Sequence, residues 1–100
     1  MQIKDKIIEN LKQVYDPEIS INIYDLGLIY NIEVNEGGRV VDITHTLTSP
    51  FCGFADIMID GIKKAGHIDG IDNVNVITTF DPPFNMEMVP EETKIILGWL

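Results

Sequence analysis

Leu28-Ile29-Tyr30-Asn31-Ile32-Glu33-Val34-Asn35, followed by Gly37-Gly38 and then Val40-Val41-Asp42-Ile43-Thr44-His45-Thr46-Leu47, is the stretch that decides the fold. Before the glycines, Leu28, Tyr30, Ile32 and Val34 alternate with Ile29, Asn31, Glu33 and Asn35. After them, Val41, Ile43, His45 and Leu47 alternate with Asp42, Thr44 and Thr46. Period-two alternation reads as two half-buried strands. Glycine takes positive φ without steric cost, so Gly37-Gly38 suits a two-residue primed turn and the strands form a hairpin. Such a turn pairs Glu36 with Arg39. The register then sets Val34 against Val41, Ile32 against Ile43, Tyr30 against His45 and Leu28 against Leu47. On the reverse face Glu33 opposes Asp42, a repulsion tolerable only in water.

Outward toward the start of the chain, Ile3, Ile7, Leu11 and Val14 share one helical face with Ile8 beside them. Tyr15-Asp16-Pro17 stops this helix, because the residue before proline is pushed out of the helical region. The segment 16–25 reads as a loop carrying Asp16, Glu18 and Asp25. With no bulge in the hairpin, the register sets Asp25 opposite Pro50. The acidic loop would then lie beside Thr48-Ser49-Pro50-Phe51-Cys52.

Outward in the other direction, Ser49-Pro50 opens a second helix, serine as cap and proline at the first position. Ala55, Met58, Ile59 and Ile62 form its buried stripe, Lys63 and Lys64 sit in its last turn, and Gly66 can close it. Phe51, Phe54 and Ile57 extend the apolar surface beyond one face, an expectation of subunit contact, hence a homodimer. A third strand runs from Val74 to Phe80. The second helix must return along the sheet, so this strand lies parallel to the second and delivers Thr79 to Phe84 to the same edge as Asp25. Pro90 with Glu91 and Glu92 opens a last helix through Ile96 and Leu97. The expected fold is α+β: one small two-layer α/β domain over residues 1–100, in the order α-β-β-α-β-α. Its mixed sheet contains the hairpin, with helices packed on it.

Composition agrees. At 100 residues and 45% hydrophobic, the chain can bury a single core without staples. Its apolar runs are far too short to span a bilayer, and charges interrupt the first residues, unlike a signal peptide. One cysteine fits a reducing compartment, so the expectation is a soluble cytoplasmic protein. A net charge of −9 with only seven basic residues opposes nucleic acid and anionic membrane as partners.

Cys52 is the chief candidate for chemistry. Placed in the first turn of its helix, it would meet unpaired amides that favour the thiolate. Asp25 and its neighbours oppose that charge unless a cation lies between them, so a mixed thiolate and carboxylate site is more coherent with a metal present. The plain alternative is a buried cysteine packed as a small hydrophobe. His45, on the apolar face, reads as a core histidine hydrogen-bonded to a neighbour rather than a ligand. His67 belongs at the opposite end in solvent. Asp16, Glu18 and Asp25 can serve as acids or ligands, yet loop carboxylates more often close turns. Thr46, Thr48 and Ser49 can cap or bind an anion. The chain has no CxxC pair, HExxH, phosphate loop or nucleophile elbow, and no histidine placed as base for a thiol hydrolase. A non-enzyme is expected.

These segments also carry a family resemblance. Asp16-Pro17-Glu18-Ile19, Asp25-Leu26-Gly27-Leu28-Ile29-Tyr30 and Thr46-Leu47-Thr48-Ser49-Pro50-Phe51-Cys52-Gly53 resemble the signature of the SufT/PaaD-like family, also called MIP-eighteen-like. Asp81-Pro82-Pro83-Phe84 and the stretch from Glu91-Glu92 to Leu97-Gly98 resemble its C-terminal signature. The match runs through nearly the whole chain in order, and the Cys52-Gly53 pair leans towards SufT. Departures are Phe51 where glycine is common, Phe84 where tryptophan is common, Val89-Pro90 for methionine-serine, and His45 at a usually apolar position. The resemblance implies an accessory role in maturing iron-sulfur proteins, with Cys52 as the functional cysteine. It further implies that the aspartates and threonines of the converging edge belong to the functional surface. Clusters typically take four cysteine ligands, and one is present, so the expected site is transient or shared, for an iron-sulfur cluster or an iron ion. The implied partners are the assembly machinery or client proteins. The competing class is a metal-independent adaptor for the same proteins.

Overall fold

The central strand of the sheet was predicted to carry its apolar side chains on one face, and it does. In the computed structural model, which describes residues 3–16, 21–35, 37–47, 53, 55–85, 87 and 89–98, the element order is α1 (Ile3–Leu11), β1 (Ile29–Asn35), β2 (Val40–His45), α2 (Ala55–Gly66), β3 (Asn73–Thr78) and α3 (Glu91–Leu97). The three strands lie in the order β1-β2-β3, β1 antiparallel and β3 parallel to β2. Val41, Ile43 and His45 of β2 are buried, together with Ile7 and Leu11 of α1 and Met58 and Ile62 of α2. Fully burying each such aliphatic contributes about 1.5–3 kcal/mol, which is what holds the two helices to the sheet.

The opposite face of the sheet is open to water and carries a polar ladder. Asp42 accepts 3.0 Å from Asn35 Nδ2 and 2.8 Å from Asn75 Nδ2, one amide to each carboxylate oxygen. Glu33 does stand opposite Asp42, exposed as its charge requires. Antiparallel pairs tolerate one wet face in this way.

The hairpin register holds at its turn end, with Val34 on Val41 and Ile32 on Ile43. Gly37 and Gly38 have φ of 69° and 88°. Asn35 pairs with Val40, and its carbonyl accepts from the amides of both Gly38 and Arg39 at 3.1 Å. Glu36, the expected partner of Arg39, lies outside the described residues. Beyond Asn31 the register slips. A β-bulge at Tyr30 brings Ile29, not Tyr30, opposite His45, and the carbonyl of Leu28 accepts from the amide of Thr46, not of Leu47. An extra residue in one strand shifts every later pair by one.

Two boundaries differ from expectation. α1 ends at Leu11, not at Tyr15. Tight bonds from Gln13 to Asn10 and from Val14 to Leu11 close the last turn, so proline is not what stops the helix. Val14 leaves the helix but still packs against α2, 3.1 Å from where a Cβ on Gly61 would stand. β3 covers Asn73–Thr78 rather than reaching Phe80, although the amide of Thr79 still bonds the carbonyl of His45 at 2.9 Å. In α2 the buried stripe is Met58, Ile62, Ala65 and Gly66, with Ala55 packed at its margin, whereas Ile59 is half-buried and outside the core cluster. No helix among the described residues is long and apolar enough to cross a membrane.

Candidate functional site

At the end of the sheet away from the hairpin turn, three segments meet. The amide of Thr46 bonds Leu28, the amide of Leu28 bonds Ile23, and the amide of Ile23 bonds Val14. Asp16 follows, its amide 3.0 Å from the carbonyl of Ile21, beside an isolated bridge between Tyr15 and Asn22. Backbone bonds therefore run without a break from the end of β2 into the loop that carries the carboxylates. β3 supplies the third segment, through Thr79 on His45 and through the Tyr30 hydroxyl, which donates 2.7 Å to the carbonyl of Pro82. Among the described residues the acidic loop and the segment after β3 reach this end of the sheet, while Cys52, the third member of the expected convergence, lies outside them. The bulge at Tyr30 breaks the expected register there.

Of the predicted site residues, Asp16 and Thr46 come inside. Asp16 is 1% exposed and Thr46 fully buried. The Thr46 hydroxyl has no hydrogen-bond partner among the described residues. An unsatisfied buried hydroxyl costs about 1–3 kcal/mol, so threonine here is poorer for stability than valine of the same shape. Asp25 closes a turn with Asn22, whose amide nitrogen donates 2.8 Å to its Oδ2 and whose Oδ1 accepts from its backbone amide at 2.8 Å; Pro50, its expected neighbour, lies outside the described residues. That turn continues through Leu26 on Asn22 and Gly27 on Tyr24. Cys52, Glu18, Thr48 and Ser49 lie outside the described residues, as does the Ser49-Pro50 opening. α2 as described begins at Ala55.

His45 is a core histidine. It is fully buried, with Nδ1 3.2 Å from the carbonyl of Thr46 and Nε2 2.8 Å from the hydroxyl of Thr78. A carbonyl only accepts, so Nδ1 carries the proton and Nε2 accepts from Thr78. Burial lowers its pKa below the ordinary value, opposed in part by the bond to Thr46. Its one lone pair is thus engaged. Among the described residues no group of three or more His, Cys, Asp or Glu could hold a metal ion. With a single cysteine in the chain, one copy cannot supply the four thiolates that an iron-sulfur cluster typically takes. His67 is exposed, as its place after α2 suggested.

Two participants were missed from sequence: Tyr30 as a clasp to Pro82, and Thr78 as the partner of His45. The alternation of apolar residues passes through Tyr30 undisturbed and carries no sign of the bulge.

Comparisons with known proteins agree with the architecture. Residues 4–78 match the family model described as iron-sulfur cluster assembly protein. A Porphyromonas gingivalis protein named Fe-S protein maturation auxiliary factor is 43% identical, over 100% of this chain and 95% of its own length. The Staphylococcus aureus Fe-S protein maturation auxiliary factor SufT is 36% identical over 85% of this chain and 97% of its own. The crystal structure of a DUF59 domain from Bacillus anthracis superposes with a TM-score of 0.87 at 31% identity, covering 96% of this chain and 92% of that one. With its motifs in order and its fold shared end to end, the chain belongs to the iron-sulfur cluster assembly protein family.

Proposed function

We propose that this chain is a non-catalytic accessory factor in the maturation of iron-sulfur proteins, working in the cytoplasm with the assembly machinery or its clients. The observation that carries this reading is the end-to-end match to maturation auxiliary factors at 43% and 36% identity. Composition supports it: a single cysteine suits a reducing compartment, and a −9 charge opposes nucleic acid as the partner. Cys52 makes the transient contact with iron, cluster or partner, and Glu18, Asp25, Thr48 and Ser49 surround that exchange, with Asp16 and Thr46 held inside the fold at the same edge. The buried Thr46 hydroxyl, without a hydrogen-bond partner among the described residues, supports the reading, because stability alone does not favour it.

The test is anaerobic reconstitution with iron and sulfide, comparing absorption of wild type and Cys52→Ala, alongside activation of an apo [4Fe-4S] dehydratase. Charge-transfer bands and activation that both vanish in Cys52→Ala are expected. Activation that survives the substitution would make the protein a metal-independent adaptor, and activation absent from the wild type would remove the maturation role itself.

A further inference from the structure

The two edges of the sheet are built differently. β1, at one edge, carries the exposed Glu33 and the bulge at Tyr30, both of which discourage a further strand. β3, at the other edge, has neither. Residues 73–80, Asn-Val-Asn-Val-Ile-Thr-Thr-Phe, hold no Asp, Glu, Lys, Arg or Pro, and the register of β3 on β2 runs without a slip from Asn73 to Thr78. Among the described residues no strand pairs with the outer side of β3.

Hydrogen-bond phase fixes what this edge offers. The amides of Asn73 and Thr79 bond the carbonyls of Arg39 and His45 on the β2 side. In a parallel ladder each residue turns both backbone groups to one side and the next residue turns them to the other. Asn75 and Ile77 therefore also face β2, while Val74, Val76 and Thr78 face outward. Side chains follow the same alternation. Asn75 donates to Asp42 on the open face of the sheet, so Ile77 stands on that face too, and it is 45% exposed. An exposed isoleucine on an uncharged, regular edge is the combination that sheets avoid unless the edge is covered.

We propose that β3 pairs antiparallel with β3 of a second copy of this chain, about a two-fold axis at Ile77, joining two three-stranded sheets into one of six. Outward groups must meet outward groups, so Val76 exchanges two backbone bonds with Thr78 of the second copy, and Thr78 does the same with its Val76. Ile77 then meets Ile77 in a non-hydrogen-bonded pair, where side chains come closest. Axes at Val76 or Asn75 would oppose Ile77 with an asparagine instead. The seam also selects its occupant. It has no charge with which to choose a charged strand, and it lets two copies of −9 each meet without like charges in contact. The pairing depends neither on Cys52 nor on the proposed function. It brings His45 of each copy, beside which the candidate site begins, to about 16 Å from the other by strand spacing and rise.

The test is sedimentation velocity of the full chain, with amide hydrogen exchange read by NMR. A seam of two strands is small and its association weak, so the concentrations run from about 10 μM to about 1 mM. A monomer–dimer equilibrium is expected that tightens as sodium chloride rises, because screening relieves repulsion between two acidic bodies. Exchange at the Val76 and Thr78 amides should slow as the dimer fills. Ile77→Lys, which alters an exposed side chain and sets two ammonium groups at the axis, should weaken the dimer about tenfold. Val76→Pro, which removes an outward amide and no bond to β2, should abolish it, each fold being verified by circular dichroism. A chain that stays monomeric, growth beyond the dimer, or exchange at Val76 and Thr78 that ignores concentration would overturn the proposal. So would equal dimerisation by both variants, which would move the contact to another face, such as that of Ile57 on α2. None of these readouts involves maturation, so failure here leaves the proposed function standing.

Discussion

His45 ends β2 and Thr46 follows it, both buried and both polar, and they make opposite commitments. His45 satisfies both ring nitrogens within the fold. Its folded pKa lies below the ordinary value, so the unfolded chain binds the proton more readily. Stability from His45 is therefore complete above the unperturbed value of about 6.5 and is lost as pH falls from there through the folded value. Urea midpoints measured between about pH 5 and about pH 7.5 should drop on the acid side in wild type and change less in His45→Gln. A flat wild-type profile would show that the imidazole titrates normally. Thr46 leaves its hydroxyl unsatisfied among the described residues. Thr46→Val should keep or raise stability by about 1 kcal/mol while lowering dehydratase activation. Activation equal to wild type would remove Thr46 from the functional site.

Elements are set as much by close approach as by propensity. Gly66, at the end of α2, lies where a Cβ would come within 3.0 Å of both Ile43 and Val74. A side chain there would have to displace the tips of both. Gly66→Ala should cost about 1–3 kcal/mol by overpacking, measured by denaturation, despite alanine's better helix propensity. Gly38 combines φ of 88° with a Cβ position 2.9 Å from Ile3, so Gly38→Ala is doubly penalised and should lose more than Gly37→Ala, which meets nothing within 4 Å. Equal losses at the two sites would mean that α1 does not press on the hairpin tip. The bulge belongs to this scale too. Tyr30→Phe should speed hydrogen exchange at the Thr79 amide, whose segment the Tyr30 hydroxyl ties down through Pro82. An unchanged rate would show the clasp to be incidental.

Across the whole molecule, the excess of nine negative charges acts on stability rather than on fold. Only two ion pairs form among the described residues, both exposed, and each is worth little. Self-repulsion should thus dominate the response to salt: raising sodium chloride from about 20 mM to about 500 mM should raise Tm by a few degrees. A fall would reveal ion pairs that matter more than repulsion. The sheet order also belongs here. Asp72 bonds Arg39 through both backbone, at 2.7 Å, and side chain, at 3.1 Å, which starts β3 beside β2 rather than beside β1.

Three strands, three helices, the direction of β3 and the core character of His45 were all legible in the chain, because they follow from short-range rules. Period two, period 3.6, a pair of glycines and a proline act over a few residues and leave their mark in order. The bulge at Tyr30, the turn that holds Asp25 to Asn22, the early end of α1 and the pairing of Tyr30 with Pro82 were decided by tertiary structure alone. Each depends on which of several equally good local arrangements lets distant groups meet. A tyrosine that alternates correctly in sequence gives no sign that its hydroxyl must cross the sheet to a carbonyl 52 positions away.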